Sequence, residues 1–230
     1  MRELKILAVV VALTLITYWG VEPFAHSQMH PHVAPADFAF TDVKEDVADI
    51  KTLKGNAANG ETLVTSNCTA CHSIESKGFP KIMDNASSAA AYGVTPPDLG
   101  TAGKLYNPDY LAAFIKNPAK ASKVEHKFVD GKVHPMPNFD WMQAQEVADM
   151  VAYLQSIAPK EMTNKEAFEN ACQRCHSMKY ADMKNGTMAA FTPKDDIKKY
   201  MGKLPPDLSQ HIRSRGHEYL ETFINNPQKH

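Results

Sequence analysis

The sequence predicts an all-α protein in which an N-terminal membrane-spanning helix precedes two tandem copies of one small domain. Three observations support this prediction: an uncharged apolar run near the N-terminus, a cysteine motif that occurs twice, and apolar residues at helical spacing. The chain has 230 residues, enough for two domains of about 100 residues each. It contains no alternating apolar and polar pattern of useful length for a strand.

The apolar run covers residues 6–21 and is close to the length that a spanning helix needs. Tyr18 and Trp19 lie at its far end, where aromatic rings favour the membrane interface. Arg2 and Lys5 precede the run, and the next Lys or Arg lies well downstream. The positive-inside rule therefore places the N-terminus in the cytoplasm and the body of the protein in the periplasm.

A cleaved signal peptide is the alternative to an anchor, and both would export the body. The first A-x-A cleavage site, at residues 34–36, lies well beyond the apolar run, which favours an uncleaved anchor. We therefore expect residues 1–22 to be a single-pass anchor in the cytoplasmic (inner) membrane and residues 23–55 to be a juxtamembrane linker.

The rest of the chain is an internal repeat. A Cys-x-x-Cys-His motif occurs at residues 68–72 and again at residues 172–176. A Pro-Pro-Asp-Leu motif and the Tyr-Leu, Phe-Ile and Asn-Pro pairs after it also recur, all at one constant offset of 109 residues. This register predicts two copies of one domain, at residues 56–158 and 159–230.

Local patterns predict helices in both copies. In the first copy they cover residues 59–67, residues 109–116 and an amphipathic stretch between residues 144 and 154. Asp140 is the expected start of the last of these helices. Thr163 and Glu166 form a capping-box pattern before the helix that leads into the second cysteine motif.

The Cys-x-x-Cys-His motif is specific for covalent haem attachment. Each cysteine can add to one vinyl group of a haem, and the following histidine then binds the iron as proximal ligand. We expect two covalently attached haem c groups, held by Cys68, Cys71, Cys172 and Cys175, with His72 and His176 as the proximal ligands.

Three other uses of the cysteines fit their spacing less well. Zinc ribbons hold their cysteine pairs about 15–20 residues apart, whereas here Cys71 and Cys172 lie 101 positions apart. A redox Cys-x-x-Cys motif would not need the histidine twice. A disulfide scaffold usually scatters its cysteines, and here they fall in two identical pairs.

An electron-transferring haem needs a sixth iron ligand, and a methionine in this position raises the reduction potential. Met136 lies between Pro135 and Pro137, just before the amphipathic helix, so we expect a rigid loop that presents its sulfur to the first iron. His134 is the rival ligand, and a packed core methionine is the alternative role for Met136.

The second copy has no counterpart of Met136. The register places it near position 245, beyond His230, so we expect the natural chain to continue and to supply the second distal ligand there. Otherwise the second iron is five-coordinate or takes another ligand, for which His211, His217 and Met201 are the candidates.

Buried haem propionates need cationic or hydrogen-bonding partners. Arg213 and Arg215 follow the second Pro-Pro-Asp-Leu motif, and Lys104 occupies the position equivalent to Arg213. These three are the candidate propionate partners, and a solvated basic surface is the alternative.

The first copy resembles class I cytochromes c over roughly residues 56–157. The matching features are Gly60 in the helix before the motif, Met136 between prolines, and Tyr153 and Leu154 in the last helix. The resemblance implies that the first and last helices cross each other beside the haem. The expected fold is therefore all-α, with two tandem class I cytochrome c-like domains after the membrane helix.

The second copy resembles cytochrome c1, the haem subunit of the cytochrome bc1 complex, in residues 175–180, 204–209 and 212–216. In that family the arginine segment lies beside the haem propionates. The second copy has Asn164 where the first has Gly60, and two haems on an N-terminal anchor depart from the single-haem, C-terminally anchored form. The whole chain resembles the two-haem version in some bacterial quinol–cytochrome c reductases.

These resemblances imply an electron relay that acts with cytochrome b and a Rieske iron–sulfur subunit. The acceptor would be a soluble cytochrome c or a terminal oxidase. Net charge is −1, so no nucleic-acid partner is expected. No catalytic triad, phosphate loop or carboxylate pair stands out, so the chain is expected to be a subunit and not an enzyme on its own. The alternatives are the diheme subunit of a cbb3-type terminal oxidase and an open-haem periplasmic peroxidase or thiosulfate dehydrogenase.

Overall fold

A computed structural model describes residues 2–29, 46–184, 186 and 190–225. Over these residues the chain is helical and contains no strand. Its only β pairing there is two isolated antiparallel bridges, between Ile74 and Phe79 and between Met178 and Met183. The predicted all-α class is confirmed.

The chain folds as two compact units. The smaller comprises residues 1–37 and 210–230, and the larger comprises residues 38–209. Both cysteine motifs belong to the larger unit. The proposed domains, residues 56–158 and 159–230, remain a prediction.

The N-terminal apolar segment of the smaller unit is helical from Arg2 to Met29. It consists of α1 (Arg2–Ile16), a π-helical turn (Thr17–Val21) and α2 (Glu22–Met29). Its 28 residues are long and apolar enough to cross a membrane, and none of its most apolar window is buried. A signal sequence would have the same length and composition, so the anchor remains an expectation.

The first copy in the larger unit contains six helices among the described residues. They are α3 (Ala57–Asn67), α4 (Asn85–Tyr92), α5 (Ala102–Leu105), α6 (Pro108–Lys116), α7 (Pro118–Ala121) and α8 (Ala144–Ile157). The helix expected to begin at Asp140 begins instead at Ala144. The backbone N–H of Gln143 donates to the carboxylate of Glu146 at 2.9 Å and caps the helix there.

Helices α3 and α8 cross in close contact, and a glycine makes this possible. A Cβ atom on Gly60 would clash with the backbone oxygen of Asp149, so only glycine fits at the crossing. The buried Asp149 carboxylate accepts hydrogen bonds from the backbone N–H of Asn56 at 2.7 Å and from the side chains of Asn59 and Gln145 at 2.6 and 2.7 Å. These bonds fix α8 against the start of α3.

The core around this crossing is apolar and fully enclosed. Its most buried members are Val47, Val64, Ile74, Val147 and Met150. Burying a side chain of this size contributes about 1.5–3 kcal/mol, so α8 holds α3 and the cysteine motif after it in place.

The second copy contains α9 (Asn164–Ala171) and α10 (Lys194–Met201). The capping box of α9 is confirmed, since the Glu166 N–H donates to the Thr163 hydroxyl at 3.2 Å and the Thr163 N–H donates to the Glu166 carboxylate at 2.8 Å. The turn after each cysteine motif is the same: Gly78 and Asp182 occupy equivalent left-handed positions, with φ of 79° and 59°.

Two further helices, α11 (His211–Arg215) and α12 (His217–Asn225), belong to the smaller unit. The guanidinium carbon of Arg215 lies 5.3 Å from the centre of the Tyr219 ring. Residues 226 and 227, the repeated Asn-Pro pair, lie outside the described residues.

Candidate functional site

Each cysteine motif forms a tight turn at the end of a helix. In the first, the N–H groups of Cys71 and His72 both donate to the carbonyl of Cys68, at 3.1 and 2.8 Å. In the second, the N–H groups of Cys175 and His176 donate to the carbonyl of Cys172, at 3.1 and 2.9 Å. The repeat seen in the sequence is therefore also a repeat of backbone geometry.

Each motif histidine is oriented by a proline carbonyl. Nδ1 of His72 lies 2.7 Å from the carbonyl oxygen of Pro97, and Nδ1 of His176 lies 2.8 Å from that of Pro206. A carbonyl only accepts hydrogen bonds, so Nδ1 must carry the proton in both rings. This leaves the Nε2 lone pair free to bind a metal.

The aspartate after each double proline ties this loop to the turn that follows the motif. Asp98 accepts from the N–H groups of Glu75 and Gly100, at 2.9 and 2.7 Å. In the second copy, Asp207 accepts from the N–H groups of Lys179 and Ser209, at 3.2 and 3.0 Å.

Hydrogen bonds from the hydroxyls of Ser177 and Ser209 hold the pKa of the Asp207 carboxyl well below its usual range. A backbone bond from the Leu99 N–H to Ser73, at 2.9 Å, recurs from Leu208 to Ser177, at 2.8 Å. The repeated Pro-Pro-Asp-Leu motif therefore serves to orient the histidine.

A cavity of about 670 Å³ lies against the first motif. This is within the usual range of about 300–1,000 Å³ for cofactor and ligand sites. Cys68, Cys71, His72 and Met136 all line it, although Met136 is far from the others in sequence. The apolar wall includes Leu99, Leu105, Tyr110, Phe114, Phe139, Met150 and Leu154.

Burial shifts the pKa values of three of the thiols and of the His72 imidazole. Burial raises the pKa of Cys68 to about 12 and also raises the pKa values of Cys172 and Cys175. Burial lowers the pKa of His72, which favours the uncharged imidazole that binds metals. None of the four cysteines is in a disulfide.

The zinc alternative would need all four thiols around one ion. Among the residues that the model describes, which include all four cysteines, no three His, Cys, Asp or Glu side chains gather into a metal-binding group. Cys175 lines the same cavity as Cys68 and Cys71 but forms no such group with them.

The Met136 loop is held by its neighbour His134. Nδ1 of His134 lies 3.1 Å from both the amide nitrogen and the carbonyl oxygen of Met136. The His134 ring meets the edges of Phe114 and Phe128, with centroids 6.2 and 5.1 Å apart. Burial lowers the pKa of His134. His134 also lines the cavity, and in this geometry it orients the backbone of the expected ligand.

Of the three candidate propionate partners, Lys104 is the one that the structure describes in the same unit as the cavity, and it lies away from that cavity. Lys104 does not line it, and its ammonium donates to the carbonyl of Lys160 at 2.9 Å. Arg215 lies over Tyr219 in the smaller unit. The side chain of Arg213 lies outside the described residues. The cations that do line the cavity are Lys81 and Arg174, which sequence reasoning missed.

The second distal ligand is not assigned. His211 and His217 belong to the smaller unit, and the side chain of Met201 lies outside the described residues. That ligand remains a prediction.

Comparison with known proteins finds a family match for the first copy. Residues 57–158 match the family model of cytochrome c. This segment is therefore similar to cytochrome c domains. The match covers less than half of the chain, and no solved structure matches the chain significantly.

Two relatives agree with this similarity. A cytochrome c-553-like protein of Synechocystis sp. is 26% identical over 125 residues, which covers 54% of this chain and 91% of that protein. Cytochrome c2 of Pararhodospirillum photometricum is 26% identical over 113 residues, covering 45% of this chain and 98% of that protein.

A cytochrome c domain implies a covalently bound haem c and a role as an electron carrier. The residues around the first motif fit such a group: two thiols, an imidazole with Nε2 free, a thioether and an apolar wall all meet at one cavity. When bound, the haem supplies one-electron chemistry.

Proposed function

We propose that this chain is a membrane-anchored diheme c-type cytochrome that relays electrons. The observation that carries the proposal is the duplicated geometry, in which each Cys-x-x-Cys-His turn is completed by a bond of about equal length from the histidine to a proline carbonyl. Only the first copy lies within the family match. The equivalent bond at His176 supports the second haem.

The residues of the chain act by holding and insulating the haem. His72 and Met136 would be its two iron ligands, which leaves no position for a substrate. The apolar wall excludes water from the iron, and the Pro97 and His134 contacts fix the two ligands in place. Such a site stabilises both oxidation states in one geometry.

We further propose that the chain is the cytochrome c1 subunit of a quinol–cytochrome c oxidoreductase. The electron would come from a Rieske iron–sulfur partner and pass to a soluble cytochrome c or a terminal oxidase, with cytochrome b in the same complex. The support is the cytochrome c1-like stretches of the second copy and the apolar helix from Arg2 to Met29.

Affinity purification of the full chain from detergent-solubilised membranes tests this role. We expect cytochrome b and a Rieske protein to co-purify, and quinol to reduce the complex with transfer to an added cytochrome c. The matched control replaces Cys172 and Cys175 with alanine, which should leave the complex assembled but slow its transfer. Co-purification of a copper–haem oxidase instead would contradict the cytochrome c1 role and favour the cbb3-type alternative.

Binding of carbon monoxide to the reduced complex tests the third alternative. We expect no binding at the first haem, because His72 and Met136 would leave its iron no open position. Stoichiometric binding with peroxidase or thiosulfate dehydrogenase turnover would identify an open-haem enzyme.

A further inference from the structure

Two buried polar atoms at the first cavity have no hydrogen-bond partner among the described residues. One is the hydroxyl oxygen of Thr95, a fully buried residue, and the other is Nε of Arg174. Both residues line the cavity. Leaving a buried polar group without a hydrogen bond destabilises the folded protein, so a pair of them beside a cofactor site indicates a polar group on the cofactor.

The two residues are held together. Nη2 of Arg174 donates to the carbonyl oxygen of Thr95 at 3.0 Å, across 79 positions of sequence. Arg174 lies between the two cysteines of the second motif, so the second copy brings this cation to the cavity of the first.

The carboxylates that line the cavity have other partners. Asp98 accepts backbone N–H groups from its own loop, and Glu169 lies 3.8 Å from the ammonium of Lys165. Arg174 has no ion pair with a carboxylate among the described residues. Its charge is therefore available to an anionic group of the haem.

We propose that Thr95 and Arg174 bind a propionate carboxylate of the haem attached to Cys68 and Cys71. A guanidinium and a hydroxyl can donate to the two carboxylate oxygens, and such charge-assisted bonds are the strong ones. The inference rests on the proposed haem at the first motif, and it does not depend on the cytochrome c1 role.

The arrangement couples the second copy to the redox behaviour of the first haem. A positive charge near an iron that gains positive charge on oxidation disfavours the ferric state. Loss of Arg174 should therefore lower the reduction potential of the first haem, and loss of the Thr95 hydroxyl should do so to a smaller extent.

Redox titration of the full chain tests this inference. The variants are Arg174→Gln, Arg174→Lys and Thr95→Val. The first haem is followed through that part of the red charge-transfer absorption of methionine-ligated ferric haem that Met136→His removes. Lys104→Gln is the matched control, because it removes a cation that does not line the cavity.

We expect Arg174→Gln to lower the ferrous-to-ferric ratio of the first haem at fixed potential by about threefold to tenfold, which is about 30–60 mV. Arg174→Lys should restore most of this loss, and Lys104→Gln should change nothing. Thr95→Val keeps the Thr95 carbonyl and hence the contact with Arg174, so a lowered potential in this variant reports the hydroxyl itself.

Two results would overturn the inference. One is a reduction potential of the first haem that Arg174→Gln does not change. The other is a Thr95→Val variant in which this potential equals that of the parent, because Arg174 would then serve only to hold the Thr95 backbone in place. A pyridine haemochrome assay on every variant separates this failure from that of the proposed function, since absence of covalent haem from the parent protein would overturn both.

Discussion

Nδ1 of His72 lies 2.7 Å from the carbonyl oxygen of Pro97, and the backbone thereby selects which nitrogen of the ring is left to bind iron. The same relationship joins His176 to Pro206. Because the acceptor is a main-chain atom in a proline-fixed loop, the orientation of both histidines is a property of the fold. The same contact between a histidine and a proline carbonyl therefore occurs in the first copy and in the second.

Replacing Met136 tests its role as distal ligand. Met136→His should lower the potential of the first haem by more than about 59 mV, a tenfold change in the ferrous-to-ferric ratio, because methionine ligation favours the ferrous state. Spectroelectrochemical titration measures this. Met142→Leu is the control, since Met142 is buried in the core and does not line the cavity. Equal reduction potentials of the first haem in Met136→His and Met142→Leu would contradict the assignment of Met136 as the distal ligand.

His134→Phe tests the support of the Met136 loop. Phenylalanine keeps the apolar contacts with Phe114 and Phe128 but loses the contact of Nδ1 with the Met136 backbone. The loss of one hydrogen bond of about 1 kcal/mol should raise the fraction of molecules with a detached methionine about fivefold. Thermal loss of the red charge-transfer absorption measures this fraction. If His134 were itself the ligand, replacing Met136 would leave that absorption unchanged.

Asp149 should contribute to stability in a pH-dependent way. Burial raises its pKa, but hydrogen bonds from Asn59, Asn56 and Gln145 outweigh burial and hold the pKa below its ordinary value. The folded protein therefore binds this proton less tightly than the unfolded chain. The contribution is fully present above about pH 4, the unfolded value, and is lost as the pH falls through the lowered folded pKa.

Chemical denaturation of Asp149→Ala measures that contribution. The variant should lose about 1–3 kcal/mol of unfolding free energy at neutral pH, because three hydrogen-bond donors lose their charged acceptor. The loss should shrink in acid. Asp140→Asn is the control, since Asp140 is exposed and should change stability by less than about 0.5 kcal/mol. A pH-independent difference between parent and variant would contradict the assignment.

Gly60→Ala should destabilise the first domain by about 3 kcal/mol, because the added methyl group would overlap the backbone of α8. The equivalent position in the second copy is the exposed Asn164, and Asn164→Ala should have little effect. Thermal unfolding of the haem-loaded protein compares them. Similar melting temperatures for both variants would show that the α3–α8 crossing is not as close as the geometry indicates.

The sequence predicted the helical class and the cysteine turns because both depend on local spacing. The Thr163 capping box was predictable for the same reason, whereas the start of α8 was placed at Asp140 because the capping role of Gln143 is less common. Local pattern also located Met136, whose flanking prolines mark an unusual loop.

The propionate partners could not be predicted in this way. Lys104 was chosen by its register in the repeat, but its side chain reaches the carbonyl of Lys160 instead. Arg174 reaches the first cavity across 79 positions from Thr95, and no local pattern records that contact. The one available signal was an arginine between two haem-binding cysteines, a position that is close to a haem in any such motif.

The number of covalent haems per chain tests the central claim most directly. A pyridine haemochrome assay on the mature protein, with protein quantified by amino-acid analysis, should give two haems. It should give one in each of two variants, Cys68→Ala/Cys71→Ala and Cys172→Ala/Cys175→Ala. A single haem in the parent that is still present after Cys172 and Cys175 are replaced would contradict the proposal of two haems. The absence of any covalent haem from the parent would contradict the proposal that this chain is a c-type cytochrome.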